Sequence, residues 1–212
     1  DPIASVRNFA VQTANELRLA GFNLDFVPVL DVVDENINLS STVIGDRSFG
    51  SNPETVARLG SLVITQMRAQ GIIPCGKHFP GHGATAVDSH FDLPVDDRPF
   101  EVLFRRDLVP FQKAIQNSVE MLMTAHVLFP KIDTKFPATM SRIILEGLLR
   151  TQIGFKGLII TDDLDMGAVS KRYSTERCVI ESFQAGADIL LICNSQDKSV
   201  EALMSLRDAF NN

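Results

Sequence analysis

The sequence predicts an α/β fold with a parallel sheet built from βαβ units. Apolar runs of strand length alternate with segments of helical period, and no heptad repeat, low-complexity tract or Gly/Ser-rich linker interrupts the 212 residues. Polar residues follow the apolar runs, as they do where parallel strands meet a ligand. A hydrophobic content of 45% with 22% charged residues is typical of a globular chain of one large domain or two small ones.

The first part of the chain contains two predicted helix–strand pairs. Apolar residues spaced by three and four predict a helix over residues 2–20, which precedes a strand at 23–30. A polar loop follows at 34–51. A second helix begins at Pro53, where a missing N–H is tolerated, and precedes a strand at 72–78.

The middle of the chain repeats this order after a long Gly/His/Asp loop at 79–97, which we call the histidine loop. Pro99 opens a helix, and Pro110 should kink or split it because proline lacks the N–H that the helix ladder needs. The third strand is predicted at 120–127, and a helix capped by Ser141 follows it.

Two further strands are predicted in the last part of the chain. A strand at 156–161 precedes a charged helix that continues to about residue 185, and a fifth strand occupies 188–193. An amphipathic helix with apolar residues between 200 and 206 ends the pattern.

Composition excludes several classes of protein. The balance of 20 basic against 26 acidic residues argues against a partner that is a nucleic acid or an anionic membrane. No apolar run reaches the ~18 residues of a transmembrane helix. The three cysteines are odd in number and far apart, which favours buried thiols and a reducing, cytoplasmic location.

The polar residues that follow the strands predict one site at the carboxyl edge of the sheet. Asp31, Lys77 with His78, Asp162 and Asn194 each follow a predicted strand. His126 lies near the end of the third strand, where a lone histidine is either a satisfied core residue or a ligand contact.

The segment GIIPCGKHFPGHGATAVDSH, at 71–90, carries the densest functional signal, since it holds three of the four histidines. Its G-x-x-x-x-G-K spacing is not a P-loop, because His78 stands where Ser or Thr should hold magnesium. Gly81 and Gly83 permit backbone paths that side chains would block. The histidines allow a metal site of His78, His82, Asp88 and His90, with Asp162 bridging.

A second interpretation of the same segment is an acid–base dyad. Asp88 lies two residues from His90, so its carboxylate can orient the ring and favour the charged imidazole. Asp162 follows an apolar strand in LIITDDLDMGA, where it could act as a nucleophile or stabilise a cation. Asp163 fits the alternative, a cap of the next helix, better than Asp162 does. Arg47, in VIGDRSFG, offers planar donors to hydroxyl or acyl oxygens.

The segments GDRSFG, GKHFPGHGATAVDSH, MTAHV and IITDDLDMGA, in this order, resemble glycoside hydrolase family 3, and within it the bacterial β-N-acetylhexosaminidases. The resemblance implies a (β/α)8 barrel, of which five βα units are visible and the first three strands are missing. Residues 1–212 would then be the C-terminal part of the catalytic barrel domain, and the missing strands would come from the rest of a longer chain or from a partner chain. The family's early Asp-x-Glu-Gly-Gly-type motif has no match here.

The resemblance also implies a function: a retaining exo-β-N-acetylglucosaminidase of peptidoglycan recycling that needs no metal or organic cofactor. Asp162 would be the nucleophile and His90, supported by Asp88, the acid/base. The substrate contacts that we predict are Arg47, Lys77, His78 and His126. Two alternatives stay open: a metal-dependent hydrolase that uses the histidine loop, and a truncated sugar-binding module without activity.

Overall fold

The sheet has four parallel strands in the order β1-β2-β3-β4, in a computed structural model that describes residues 1–35 and 44–211. The strands are β1 at Leu24–Asp25, β2 at Ile73–Phe79, β3 at Met121–Thr124 and β4 at Leu158–Ile160. All three strand pairings are parallel. The predicted α/β class with a parallel sheet is therefore confirmed.

Helices connect the strands and cover one face of the sheet. They are α1 at Pro2–Leu19, α2 at Pro53–Ala69, α3 at Phe100–Arg105, α4 at Leu108–Gln116, a π-helix at Ile143–Ile153, α5 at Gly167–Ser170, α6 at Thr175–Ala185 and α7 at Gln196–Asn211. Among the described residues no helix is both long and apolar enough to cross a membrane.

Local chemistry explains where these helices begin and end. Asn52 accepts the Thr55 N–H at 2.9 Å and Pro53 occupies the first turn, so α2 begins with a capped end. Gly154 and Gly186 follow the π-helix and α6 with φ of 83° and 111°, the left-handed conformation that ends many helices.

Pro110 acts as predicted, because the expected single helix is two. The break falls at residues 106–107, which places Pro110 in the first turn of α4, where its missing N–H has no helical partner to lose. Two other helix predictions differ from the structure. The segment after Ser141 is a π-helix, and the charged helix before residue 185 is divided into α5 and α6.

Only the second predicted strand keeps its length; β3 and β4 are about half as long as the predicted 120–127 and 156–161, and the first and fifth predicted strands are shorter still. Beyond β1 the strand at 23–30 adds only the bridge from Val29 to Lys77, because Pro28 offers no N–H to the ladder. The strand at 188–193 forms only the bridge between Ile160 and Ile189. The next N–H on that side, of Leu191, donates to the Thr161 hydroxyl instead of a backbone carbonyl. The prediction of five βα units was therefore wrong by one strand.

The main core lies between the sheet and helices α2, α4 and the π-helix, and Leu30 shows how closely it is packed. Its two methyl groups lie against Gly60 of α2 and Gly76 of β2, where an added Cβ would approach them to 2.4 and 2.7 Å. The two glycines thus let Leu30 fill the layer between helix and strand, and this fixes the position of the next residue, Asp31.

Candidate active site

Three polar groups from different strand ends meet at the carboxyl edge of the sheet. His78 Nδ1 lies 2.7 Å from Asp31 Oδ2, and His78 Nε2 lies 3.9 Å from Asp162 Oδ2. The imidazole thus stands between two carboxylates. Asp31 is fully buried, whereas the Asp162 side chain keeps 18% of its surface exposed. Of these two carboxylates, only Asp162 can meet a ligand from solvent.

An irregularity in β2 places His78 in this position. The register with β3 shifts between Lys77 and Phe79, so His78 has no partner of its own on β3. Strict alternation would turn Lys77 and His78 to opposite faces of the sheet. Bulges of this kind redirect side chains and are common beside active sites. Here the shift lets both residues lower the pKa of Asp162.

Asp31 is a site residue that the sequence prediction placed at a strand end but did not select. Its Oδ1 accepts the backbone N–H of His82 at 2.7 Å and that of His78 at 3.3 Å. Burial would raise the pKa of Asp31, but the nearby His78 imidazole and the His82 N–H lower it. The buried charge therefore holds the start of the histidine loop and the His78 ring together.

Asp162 and Asp163 have different surroundings. Burial would raise the pKa of Asp162, but the charge of His78, that of His126 and the Asp163 N–H at 2.8 Å together lower it. Asp163 turns into the protein, where its carboxylate accepts the N–H groups of Asp165 and Cys193 and the Asn194 amide. Asp163 thus fixes the loop that follows β4, while Asp162 stays partly exposed at the carboxyl edge of the sheet.

The predicted pair of Asp88 and His90 is formed. Asp88 Oδ1 lies 2.8 Å from His90 Nδ1 and accepts the His90 backbone N–H at the same distance. Burial would raise the pKa of Asp88, but these two contacts, together with the nearby His90 and His82 rings, lower it. The His90 side chain is 57% exposed, so the ring faces solvent while its orientation is fixed by the carboxylate.

His82 lies in the protein interior. Thr85 donates its hydroxyl to the His82 carbonyl, so His82 Nδ1 donates to Thr85 Oγ1 at 2.6 Å and Nε2 accepts from Ser89 Oγ at 3.0 Å. Burial, with the neighbouring His78, lowers its pKa to about 4.

Among residues 1–35 and 44–211, no group of three or more His, Cys, Asp or Glu side chains is arranged to hold a metal ion. The metal hypothesis built on His78, His82, Asp88 and His90 gains no support from this arrangement.

His126 is fully buried at the end of β3. Its Nε2 donates to the Asp163 carbonyl at 2.9 Å, and its Nδ1 lies 2.8 Å from Thr139 Oγ1. Burial lowers its pKa, although the Asp162 carboxylate opposes this effect. Both ring nitrogens thus have protein partners, and His126 supports the turn that carries Asp162. Its role as a substrate contact stays a prediction.

Lys77 and Arg47 lie close to each other, and Lys77 is near Asp162. Burial lowers the pKa of Lys77, and the Asp162 carboxylate partly offsets this. Both cations line a largely apolar cavity of about 320 Å³, together with Phe26 and Phe49. Arg47 is exposed and belongs to a short 3₁₀ turn at Gly45–Arg47. The part of its loop at 36–43, which includes Val43 of the predicted motif, lies outside the described residues.

The histidine loop packs closely against the buried Asp107, which forms an ion pair with Arg106, and against the loop after β1. An added Cβ at Gly81, whose φ is 140°, would lie 3.0 Å from the Asp107 Cβ. At Gly83 an added Cβ would lie 2.2 Å from the Val32 carbonyl oxygen, so the predicted need for glycine at both positions is confirmed. Arg106 binds Asp107 at 2.8 Å and donates to the Val33 carbonyl at 2.6 Å. The loop after β1 and the histidine loop thus pack on the same Arg106–Asp107 ion pair.

The model of the Glycosyl hydrolase family 3 N terminal domain matches residues 2–211, almost the whole chain. The chain belongs to glycosyl hydrolase family 3. The predicted family resemblance is therefore confirmed, and the four-stranded parallel sheet corresponds to part of the family's barrel domain.

Individual members of the family are similar along most of the chain. A beta-hexosaminidase of Neisseria gonorrhoeae is 46% identical over 198 residues, which are 93% of this chain and 52% of the relative. The family 3 beta-N-acetylglucosaminidase of Paenibacillus sp. FPU-7 is 40% identical with a TM-score of 0.93, over 98% of this chain and 39% of that one. NagZ from Neisseria gonorrhoeae, solved in complex with N-trifluoroacetyl-D-glucosamine, is 40% identical with a TM-score of 0.84, over 98% and 57%. The chain spans about half the length of the curated relatives it matches.

Proposed function

We propose that this protein is a retaining exo-β-N-acetylglucosaminidase that removes terminal β-linked N-acetylhexosamine. The family membership and the names of its relatives support this reaction class. The observation that carries the proposal is the 2.8 Å contact between Asp88 and the exposed His90, whose carbonyl accepts the N–H of Gly167, five residues after Asp162. A fixed imidazole and an ionised carboxylate are the two groups that a double displacement at a sugar carbon requires.

In the first step, an Asp162 oxygen attacks the anomeric carbon as the bond from that carbon to the leaving oxygen breaks. The protonated His90 ring gives its Nε2 proton to the leaving oxygen, so the aglycone departs as a neutral alcohol. Asp88 holds the Nδ1 side of the ring, which leaves Nε2 to give the proton, and the low pKa of Asp162 keeps the nucleophile ionised. The pair replaces the second carboxylate that most retaining glycosidases use.

In the second step, water attacks the same carbon and releases Asp162 as a carboxylate. The neutral His90 ring takes the proton from that water, and the configuration at carbon is retained after two inversions. Lys77, Arg47 and His78 offer donors to the sugar hydroxyls during both steps, and His126 holds the turn that carries Asp162 through the Asp163 carbonyl.

The test measures hydrolysis of aryl N-acetyl-β-glucosaminides by His90→Gly. Without the acid, hydrolysis of poor leaving groups should fall by about 10²–10⁴-fold, the usual contribution of a positioned acid or base. Substrates with a 2,4-dinitrophenyl leaving group should still form the intermediate, and azide should restore turnover and yield the β-glycosyl azide.

The matched control is Phe91→Ala, the exposed neighbour on the same loop. Azide should have no effect on this variant. Equal losses of His90→Gly with good and poor leaving groups, without rescue by azide, would contradict the assignment of His90.

A sugar-binding module without turnover is the second candidate, and the half-length match to the relatives favours it. Calorimetry with N-acetylglucosamine, run beside the activity assay on the same 212 residues, separates the two. Binding without hydrolysis supports the module, and hydrolysis that disappears in Asp162→Ala supports the enzyme.

The same proposal includes cell-wall fragments as the natural substrate and the cytoplasm as the location. Action on cell-wall fragments predicts a higher kcat/KM for N-acetylglucosamine linked to anhydro-N-acetylmuramic acid than for chitobiose. A preference for chitobiose would instead indicate a role on chitin fragments.

A further inference from the structure

The segment 88–92, which carries the Asp88–His90 pair, is bound to the protein on two sides. On the inner side, the buried Ser89 places its hydroxyl 3.0 Å from His82 Nε2. On the outer side, the first N–H groups of α5 donate to the segment: Gly167 to the His90 carbonyl at 3.1 Å, and Ala168 to the Ser89 carbonyl at 3.0 Å. The backbone of the pair is thus held between His82 and α5.

Only glycine fits at position 167 in this outer contact. An added Cβ would lie 2.7 Å from the His90 carbonyl oxygen and 2.8 Å from that of Phe91. Both are backbone atoms, so no side chain can rotate away to make room. The segment would have to move outward, and His90 would move with it.

The same stretch of chain joins this contact to Asp162. Gly167 lies five residues after Asp162, and the intervening turn is fixed by Asp163, which binds Asp165 and residues 193–194. An ion pair of Arg172 with Asp92, 2.8 Å apart, also links the two segments, but both side chains are about half exposed and such pairs contribute little.

We propose that Gly167 is a positioning residue that sets the spacing between the His90 acid/base and the Asp162 nucleophile. Its lack of a side chain lets the His90 segment seat directly on the turn that follows Asp162. The inference rests on the proposed glycosidase function. Displacements of about 1 Å in such a constellation reduce rates by as much as 10²-fold.

The experiment compares Gly167→Ala with Gly147→Ala in two measurements. At Gly147 the nearest atom to an added Cβ is 4.0 Å away, so this variant tests the loss of a glycine without a clash. Hydrogen–deuterium exchange should rise in residues 88–92 of Gly167→Ala and stay at the wild-type level in Gly147→Ala and in β4. In the leaving-group series, Gly167→Ala should lose about 10-fold or more with poor leaving groups and little with 2,4-dinitrophenolate, because protonation by His90 matters only for the former.

Each outcome decides one question. If Gly167→Ala matches Gly147→Ala in exchange and in leaving-group dependence, the proposal is overturned. If Gly167→Ala loses the same factor with every leaving group, the residue supports the fold and does not position His90. If the wild type hydrolyses no glycoside, the proposed function fails, while the exchange measurement still decides whether Gly167 seats the segment.

Discussion

His82 links the acid–base segment to the buried Asp31 and is held as a neutral ring. Its pKa, about 4, lies below the ordinary value of 6.5 because burial disfavours the charged imidazole. Between these two values the unfolded chain binds a proton that the native protein does not bind. The native state is therefore destabilised, relative to the unfolded state, as the pH falls through this window.

We predict that the free energy of unfolding falls by up to about 3 kcal/mol between pH 6.5 and pH 4 because of His82 alone. Urea unfolding at several pH values measures this slope in the wild type and in His82→Gln, which keeps a polar side chain near Ser89. The slope should be clearly shallower in the variant.

The control for this prediction is Ile159→Val, a buried substitution in β4 without a titratable group. It should reduce stability by about 0.5–1.5 kcal/mol at every pH and leave the slope unchanged. A slope in His82→Gln equal to that of the wild type would show that His82 is not the group responsible.

At the same scale, the sequence predicts contacts between near neighbours better than contacts between distant ones. The pairing of Asp88 with His90 follows from local spacing, and the structure contains it. The predicted helix cap at Asp163 is wrong, because Met166 occupies the N-cap of α5 and the Asp163 carboxylate accepts the distant Cys193 N–H instead. The partners of Asp31 lie 47 and 51 residues away, so only the folded sheet brings them together. The bulge at His78 is equally invisible in the sequence, because it depends on the register with β3.

At the scale of elements, the packing of α2 on β2 depends on two glycines. Helix propensity alone predicts that Gly60→Ala stabilises α2 by about 1 kcal/mol. Leu30, which is fully buried, would meet the new methyl group at 2.4 Å, and Gly76 on its other side leaves it no space to move. We therefore predict a net loss of up to about 2 kcal/mol in the free energy of unfolding, since overpacking of this kind costs about 1–3 kcal/mol and the gain in helix propensity offsets about 1 kcal/mol of it.

Gly147→Ala is the matched control for Gly60→Ala, because it adds the same methyl group where the nearest atom is 4.0 Å away. Its stability should equal or exceed that of the wild type in urea unfolding. If Gly60→Ala proved as stable as Gly147→Ala, the tight contact of Leu30 would not limit this layer.

Element positions follow from the sequence more closely than element types do. Proline and glycine mark the ends of α2, the split before α4 and the ends of the π-helix and α6, since each acts through its own backbone. The π-helix itself carries the same apolar spacing as an α-helix, so no pattern distinguished the two. Strand lengths were overpredicted at 23–30 and 188–193, where side chains and loops replace the ladder.

At the scale of the molecule, the order of the strands in the sheet follows their order in the chain, as the βαβ pattern predicts. Apolar side chains of the inner face, Cys75, Met121, Met123 and Ile160, are buried, whereas Leu24, Phe26 and Leu191 toward the two sides of the sheet are only partly covered. We predict that further strands, from the rest of a longer chain or from a partner chain, cover these sides. Their number and source stay a prediction.

In the proposed mechanism, Asp162 forms a covalent bond to the sugar while His90 gives and takes the proton. The most direct measurement is mass spectrometric mapping of the protein after reaction with 5-fluoro-N-acetylglucosaminyl fluoride, whose fluorine slows hydrolysis of the intermediate. We expect one label, on Asp162, which accumulates further in His90→Gly and is absent in Asp162→Ala. A label on Asp163 or on any other carboxylate, or turnover without a covalent intermediate, would contradict it.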